Sequence, residues 1–276
     1  MIKVGFIDYY LHEWHADNYP EMIKAASGGE LEVKFCYGRI WDSPHGKNNK
    51  EWSELHGIEL LDTEDEVIEK SDVIIVLSPD NPEMHEDLCK KALSSGKRVY
   101  VDKTFAPDKE TALRIFENAD KHGTPCYSSS ALRFAAEYKA VKKEGIKNIH
   151  AFGPGELEMY SIHQIEPIVS LMGTDAKSVV FTGDKKFPTF VIEFEGDRYA
   201  EVNMKGKFGM EIGYEDGSAE SVKITANFWE CFMEDLVDFF RTGEIKVDHA
   251  ETVAVIAIRE AVIEAYKKPW VKVMVK

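Results

Sequence analysis

The run Val73-Ile74-Ile75-Val76-Leu77 constrains the fold more than any other segment. Consecutive aliphatic residues, mostly β-branched, suit a strand covered on both faces. Such a strand lies inside a parallel sheet with helices packed on either side. The flanking segments agree. Ile2–Ile7, Leu31–Tyr37, Arg98–Val101 and Pro125–Ser128 read as strands. Ala16–Ala26, Thr63–Lys70, Pro82–Ser95 and Asp108–His122 read as the helices between them. Gly28, Gly96 and Gly123 stand just past three of these helices, where a left-handed residue ends one. Arg39–Ser53, with Pro44, Gly46 and two asparagines, is expected to be a loop. This order predicts a doubly wound parallel sheet with right-handed crossovers. Ligands of such sheets bind at the carboxyl ends of the strands, here just after Ile7, Tyr37, Leu77 and Val101.

The pattern changes after residue 128. Phe134–Glu144 and Ser161–Met172 read as helices. Alternating segments follow at Ser178–Phe181, Thr189–Glu195, Tyr199–Lys205 and Gly209–Tyr214, with Gly183, Gly196 and Gly217 supplying turns. Helices near Trp229–Arg241 and Ala250–Tyr266 precede a short Val271–Val275 strand. The expectation is an α/β chain with two domains. Residues 1–128 form the parallel-sheet domain, and residues 129–276 form an α+β domain with a mainly antiparallel sheet. In a chain of 276 residues each part is long enough to bury a core.

Charge and apolar run lengths narrow the partners. With 34 basic and 49 acidic residues, the net charge is −15. That argues against nucleic acid or an anionic membrane surface as the main partner, since both need a basic footprint. An anionic cofactor stays compatible, because a helix N-terminus binds phosphate locally. No apolar run approaches the ~20 residues that span a bilayer, and charge interrupts the first residues too early for a signal peptide. A cytoplasmic location is expected. Cys36, Cys89, Cys126 and Cys231 form no C-x-x-C pair, so no zinc or redox motif is read.

Three segments together resemble a known family. The first runs from Asp72 to Pro79 and continues through His85, Ala92-Leu93, Gly96-Lys97 and Val101-Asp102-Lys103. The second is Gly155-Glu156-Leu157 with His163-Gln164-Ile165-Glu166 and Leu171-Met172-Gly173. The third holds Asp235, Phe239, Gly243, Glu251, Ile258 and Ala261. This arrangement resembles the Gfo/Idh/MocA oxidoreductases, the glucose-fructose oxidoreductase and inositol dehydrogenase family. The resemblance covers nearly the whole chain. It implies a Rossmann-type N-terminal domain that binds NAD or NADP, and hydride transfer on a sugar, polyol or related hydroxy compound. It also implies a homodimer or homotetramer through the C-terminal sheet.

The resemblance assigns the catalytic positions to Lys103, Asp102 and His163. Lys103 follows a buried strand, where an ammonium can hydrogen-bond the reacting hydroxyl, and Asp102 can orient it. His163 can exchange a proton near neutral pH. The family has an aspartate four residues before this histidine, one helical turn away; here the position is Met159, whose thioether neither transfers protons nor orients an imidazole. Cofactor contacts are expected from Asp8, Tyr9 and Leu11 after the first strand, Arg39 after the second, and Ser78, Asn81 and His85 after the third principal one. The first of these places departs from the dinucleotide pattern. G-x-G-x-x-G lets the backbone approach the pyrophosphate. This chain has Asp8-Tyr9-Tyr10-Leu11-His12-Glu13 instead, with two acids where a pyrophosphate sits.

Two alternatives follow from these departures. One is a non-catalytic binding or regulatory protein on the same fold. The other is a metal-assisted lyase or hydrolase using the group Asp8, His12, His15 and Asp17, whose spacing fits no familiar metal signature. Tyr37, Trp41 and Trp52 are expected to pack in the core or over a pocket.

Overall fold

The computed structural model describes residues 1–276. The chain divides into two compact units. Unit 1 holds residues Met1–Ala106, Glu110–Ser129 and Met233–Asp248, and unit 2 holds Pro107–Lys109, Ser130–Phe232 and His249–Lys276.

Unit 1 is built from β1 (Ile2–Asp8), α1 (Trp14–Ala26), β2 (Leu31–Gly38), α2 (Asn49–His56), β3 (Glu59–Leu60), α3 (Glu64–Lys70), β4 (Val73–Val76), α4 (His85–Leu93), β5 (Arg98–Val101), α5 (Lys109–His122) and β6 (Cys126–Tyr127). Its six strands are parallel, in the order β3-β2-β1-β4-β5-β6. The order reverses between β1 and β4, which puts the ligand crevice of such a sheet at their carboxyl ends. The core follows from the sequence: β4 is buried along its whole length, and β1 is buried from Val4 on. Gly5 is required by packing. A side-chain carbon there would meet Ser71 Oγ at 2.2 Å and Val67 Cγ1 at 2.6 Å, so α3 presses directly on β1.

One segment of this unit departs from expectation. Arg39–Ser53 is not loop throughout, because α2 begins at Asn49. Asn48 and Glu51 close a reciprocal capping box that starts it.

Unit 2 contains α6 (Ala136–Lys139), β7 (Ile146–Phe152), α7 (Leu157–Met172), β8 (Ala176–Phe181), β9 (Thr189–Phe194), β10 (Arg198–Asn203), β11 (Gly209–Tyr214) and β12 (Ala219–Lys223). The helix α8 (Phe228–Thr242) starts in this unit's sequence and continues into that of unit 1, while α9 (His249–Lys267) and β13 (Lys272–Met274) return to unit 2. The seven strands run β12-β11-β7-β10-β9-β8-β13. All pairings are antiparallel except β7 with β10. The helices α7 and α9 pack on each other, α7 also on β7 and α9 on β8.

Two further expectations are corrected here. The helix expected over Phe134–Glu144 is a 3-10 turn at Ala131–Phe134 followed by the single turn of α6. The strand β7, the hub of the sheet, lay between predicted elements. No helix of the chain is long and apolar enough to cross a membrane.

Candidate functional site

The turn from β1 into α1 carries a buried cluster of acids. Asp8 ends β1, and its Oδ1 accepts from the Tyr9 amide at 2.6 Å. Its Oδ2 is buried without a hydrogen-bond partner. Burial, with Glu13 and Asp102 nearby, holds the Asp8 carboxyl well above the usual carboxylate range. Glu13 is the N-cap of α1 and is itself buried. Its carboxylate accepts from the His15 amide at 2.7 Å and from the Ala16 amide, and lies 3.0 Å from His15 Nδ1. The two helix-start donors that an anion would bind are thus taken by the chain's own carboxylate. Leu11 and Tyr10 are buried where the dinucleotide pattern needs glycine.

Asp102, one residue past β5, joins the same cluster. Its Oδ1 accepts from Tyr19 at 3.3 Å and Tyr100 at 3.2 Å. Its Oδ2 lies 3.7 Å from His15 Nδ1. Burial first, then the Asp102 charge, pushes both phenols up. Asp102 therefore has a dense polar shell of its own on the β1 side.

The segment after β2 is tied onto this turn. Asn49 Nδ2 donates to the carbonyls of Gly38 at 3.0 Å and Ile40 at 2.9 Å, and its Oδ1 makes a long contact of 3.5 Å with the Leu11 amide. Gly38 permits this approach, since a side-chain carbon there would sit 2.5 Å from Asn49 Oδ1. Ser43 donates to the His12 carbonyl at 2.7 Å, and the Lys47 amide donates to His12 Nδ1 at 3.0 Å. Tyr9 and Asp8 accept from the amides of Ile40 and Arg39. The Arg39 guanidinium is engaged by Glu64 at 2.5 Å and by Asp87.

The four-residue group weighed as a metal site falls into two parts. Asp8 and His15 belong to the buried cluster. His12 and Asp17 belong to another, where Asp17 accepts from Trp52 Nε1 at 2.7 Å and faces His56 at 3.5 Å and His12 at 3.7 Å. No three His, Cys, Asp or Glu side chains are gathered as metal ligands. Trp52 is fully buried and stacks on His56, whereas Trp41 is exposed.

The ends of β4 and β5 look different. Ser78 is buried at positive φ, and its hydroxyl donates to the Asn81 carbonyl at 3.0 Å. Asn81 donates to Glu83 at 3.1 Å. His85 is fully buried, and its Nδ1 donates to the carbonyls of Thr104 at 2.8 Å and Phe105 at 3.2 Å. Burial lowers its pKa, so a neutral ring fixes the loop on which half-buried Lys103 stands. Sequence reasoning placed His85 at the cofactor; the structure gives it this positioning contact.

In unit 2, His163 lies mid-way along α7, half-buried, with Nδ1 2.7 Å from Ser130 Oγ. Tyr160 and Phe208 present ring edges to it at centroid distances of 5.3 Å and 6.2 Å. Met159 precedes it by one turn. Ser130 was not anticipated; a Ser-Ser-Ser run at 128–130 is a weak sequence signal for a histidine partner.

NAD or NADP is the cofactor the fold implies, and the carboxyl ends of neighbouring strands answer differently. The β4 and β5 ends carry short polar segments around Ser78, Asn81 and Lys103. The β1–α1 turn does not fit a pyrophosphate. It offers a capped helix start, buried Tyr10 and Leu11, and the acids Asp8, Glu13 and Asp102 in its place.

Residues 39–129 match the model of the oxidoreductase family with an NAD-binding Rossmann fold. The β1–α1 turn precedes that segment. No curated protein matches the chain. Solved structures match its full length at low identity. A probable dehydrogenase from Thermotoga maritima shares 13% identity, covering 99% of each chain, with a TM-score of 0.77. Scyllo-inositol dehydrogenase from Lactobacillus casei shares 16%, covering 100% of this chain and 98% of that one, at 0.77. The WlbA dehydrogenase from Bordetella pertussis, in complex with NADH and UDP-GlcNAcA, shares 13%, covering 100% and 99%, at 0.74. The Gfo/Idh/MocA resemblance read from the sequence is thus borne out, by fold in both units and by family pattern across residues 39–129.

Proposed function

We propose that this chain is an oxidoreductase of the Gfo/Idh/MocA type, acting on a hydroxyl or carbonyl of a sugar, polyol or related compound. The observation that carries the reading is the family pattern of residues 39–129, which includes Asp102-Lys103 at the end of β5. The Lys103 ammonium hydrogen-bonds the reacting oxygen and orients it. Asp102, fixed by Tyr19 and Tyr100, anchors the strand end from which Lys103 projects. His163, held through Nδ1 by Ser130, exchanges the proton at its other nitrogen. A nicotinamide supplies hydride capacity in this family. The β1–α1 turn does not fit the pyrophosphate of that group. Self-association through the unit 2 sheet belongs to the same proposal. Exposed Phe152 and Tyr199, on the paired strands β7 and β10, support it.

The test is a turnover screen over sugars and polyols, with NAD, NADH, NADP and NADPH each titrated calorimetrically. Lys103→Ala is expected to lower turnover about 100-fold or more. Unchanged turnover in that variant removes Lys103 from the chemistry.

A second reading, a binding or regulatory protein without catalysis, is favoured by one observation, the carboxylate-capped start of α1. It predicts that a sugar or polyol raises Tm while no turnover occurs with any dinucleotide.

A further inference from the structure

In a doubly wound sheet of this strand order, the helix that follows β1 opens on the crevice where strand order reverses, and its N-terminus receives the dinucleotide phosphate. Three observations converge on that place. The Glu13 carboxylate accepts from the amides of His15 and Ala16, with both oxygens engaged. It is buried, so these bonds are not exchanged for water. Its Oε2 also faces His15 Nδ1 at 3.0 Å, which gives it a third partner.

These contacts are the set a phosphate oxygen pair would make at a helix start: backbone amides, the positive end of the helix, and a ring nitrogen. The surroundings exclude a second anion. Glu13 and Asp102 lie close enough to Asp8 for each to act on it electrostatically. Tyr10 and Leu11 of the same turn are buried, and Asn49, Ser43 and Lys47 tie residues 38–49 to it.

We infer that Glu13 stands in for the phosphate: the anion place of this Rossmann unit is filled from within, and Glu13 is the group that keeps a pyrophosphate out. The inference goes beyond the oxidoreductase reading, and turnover with NAD or NADP would count against it.

Rescue by a small anion tests it, using the full-length protein. Glu13→Ala frees two amides and removes a charge, and Glu13→Gln removes the charge while leaving one acceptor. Circular dichroism first establishes that each variant is folded. Inorganic pyrophosphate, then ADP-ribose, is titrated into wild type and both variants, following Tm and the amide resonances of His15 and Ala16. The expected result is no saturable effect on wild type. In Glu13→Ala, Tm rises and the His15 and Ala16 resonances shift, with binding at least ten-fold tighter than to wild type; Glu13→Gln falls between. Two results overturn the inference. One is wild type binding ADP-ribose as tightly as the variants or more so. The other is a folded Glu13→Ala that responds to neither anion, since the excluding group is then not Glu13. Sugar turnover is measured separately, so a failed oxidoreductase assignment leaves this result readable.

Discussion

Neighbouring strands at the carboxyl face of the parallel sheet carry opposite arrangements. At the β4 and β5 ends, loops are short, Ser78 sits at positive φ, and buried His85 holds the loop that presents Lys103. At the β1 end Glu13, Leu11 and Tyr10 are buried, and the next crossover is fastened over them. The difference teaches that a Rossmann sheet keeps its topology when its phosphate turn changes. The strand order depends on the apolar run of β4 and on the contact of α3 with β1, not on glycines at positions 8, 10 and 13.

The largest expected effect tests the β5 end. Lys103→Ala should lower turnover by two orders of magnitude or more while leaving Tm near wild type, because the side chain is half-buried and forms no part of the core. A large Tm loss instead would make Lys103 structural and erase the contrast.

Next in size is the charge stored at the β1 end. A carboxyl whose folded-state pKa is raised favours the fold most below its unfolded value, about 4, and loses that contribution as pH rises through the folded value. Asp8 is such a group. Asp8→Asn cannot ionise, so it should raise Tm at pH 8 and approach wild type near pH 4. Equal differences at both pH values would mean that Asp8 is not held in a costly charged state.

Gly5 sharpens the argument about which glycine matters. Gly5→Val forces a side chain against Ser71 and Val67, and about 1–3 kcal/mol of stability should be lost to overpacking, as read from denaturant midpoints. A neutral result would mean that α3 does not press on β1 at Gly5.

The smallest effect concerns the fastening. Asn49→Ala removes the two carbonyl contacts to Gly38 and Ile40, at a cost of about 1 kcal/mol. It should speed amide exchange in residues 38–48 without changing exchange at β4.

Much of this architecture was legible because two periodicities are strong. The buried run of β4 and the apolar stripes of the flanking helices made the strand and helix order up to β6 readable from pattern, whereas the return of Met233–Asp248 to unit 1 carries no such signal. β7 escaped because its inward residues, Ile146, Ile149 and Ala151, are out of strict alternation, and Lys142-Lys143-Glu144 before it reads as helix. The helix expected over Phe134–Glu144 stops at Lys139, although Ala140 and Lys142 are good helix formers, a case of tertiary context overriding propensity. At the site, the wrong charge in the phosphate turn was visible at Asp8 and Glu13. The capping role was not, because helix starts are sought at Ser, Thr, Asp and Asn, and a glutamate must fold back by one more carbon to reach the same amides. The Asp102 shell of Tyr19 and Tyr100 joins residues far apart in the chain, which spacing alone does not reveal.

The Asn49 fastening has a consequence for stability. Its amide is shared among the turn after β1, the end of β2 and the start of α2. Restoring glycines to positions 10 and 13 alone would leave Asn49, Ser43 and Lys47 facing partners that have moved, while loosening residues 38–49 alone would leave Glu13 in place. A change confined to one of these segments is therefore expected to cost stability in the other, because the same Asn49 amide holds both.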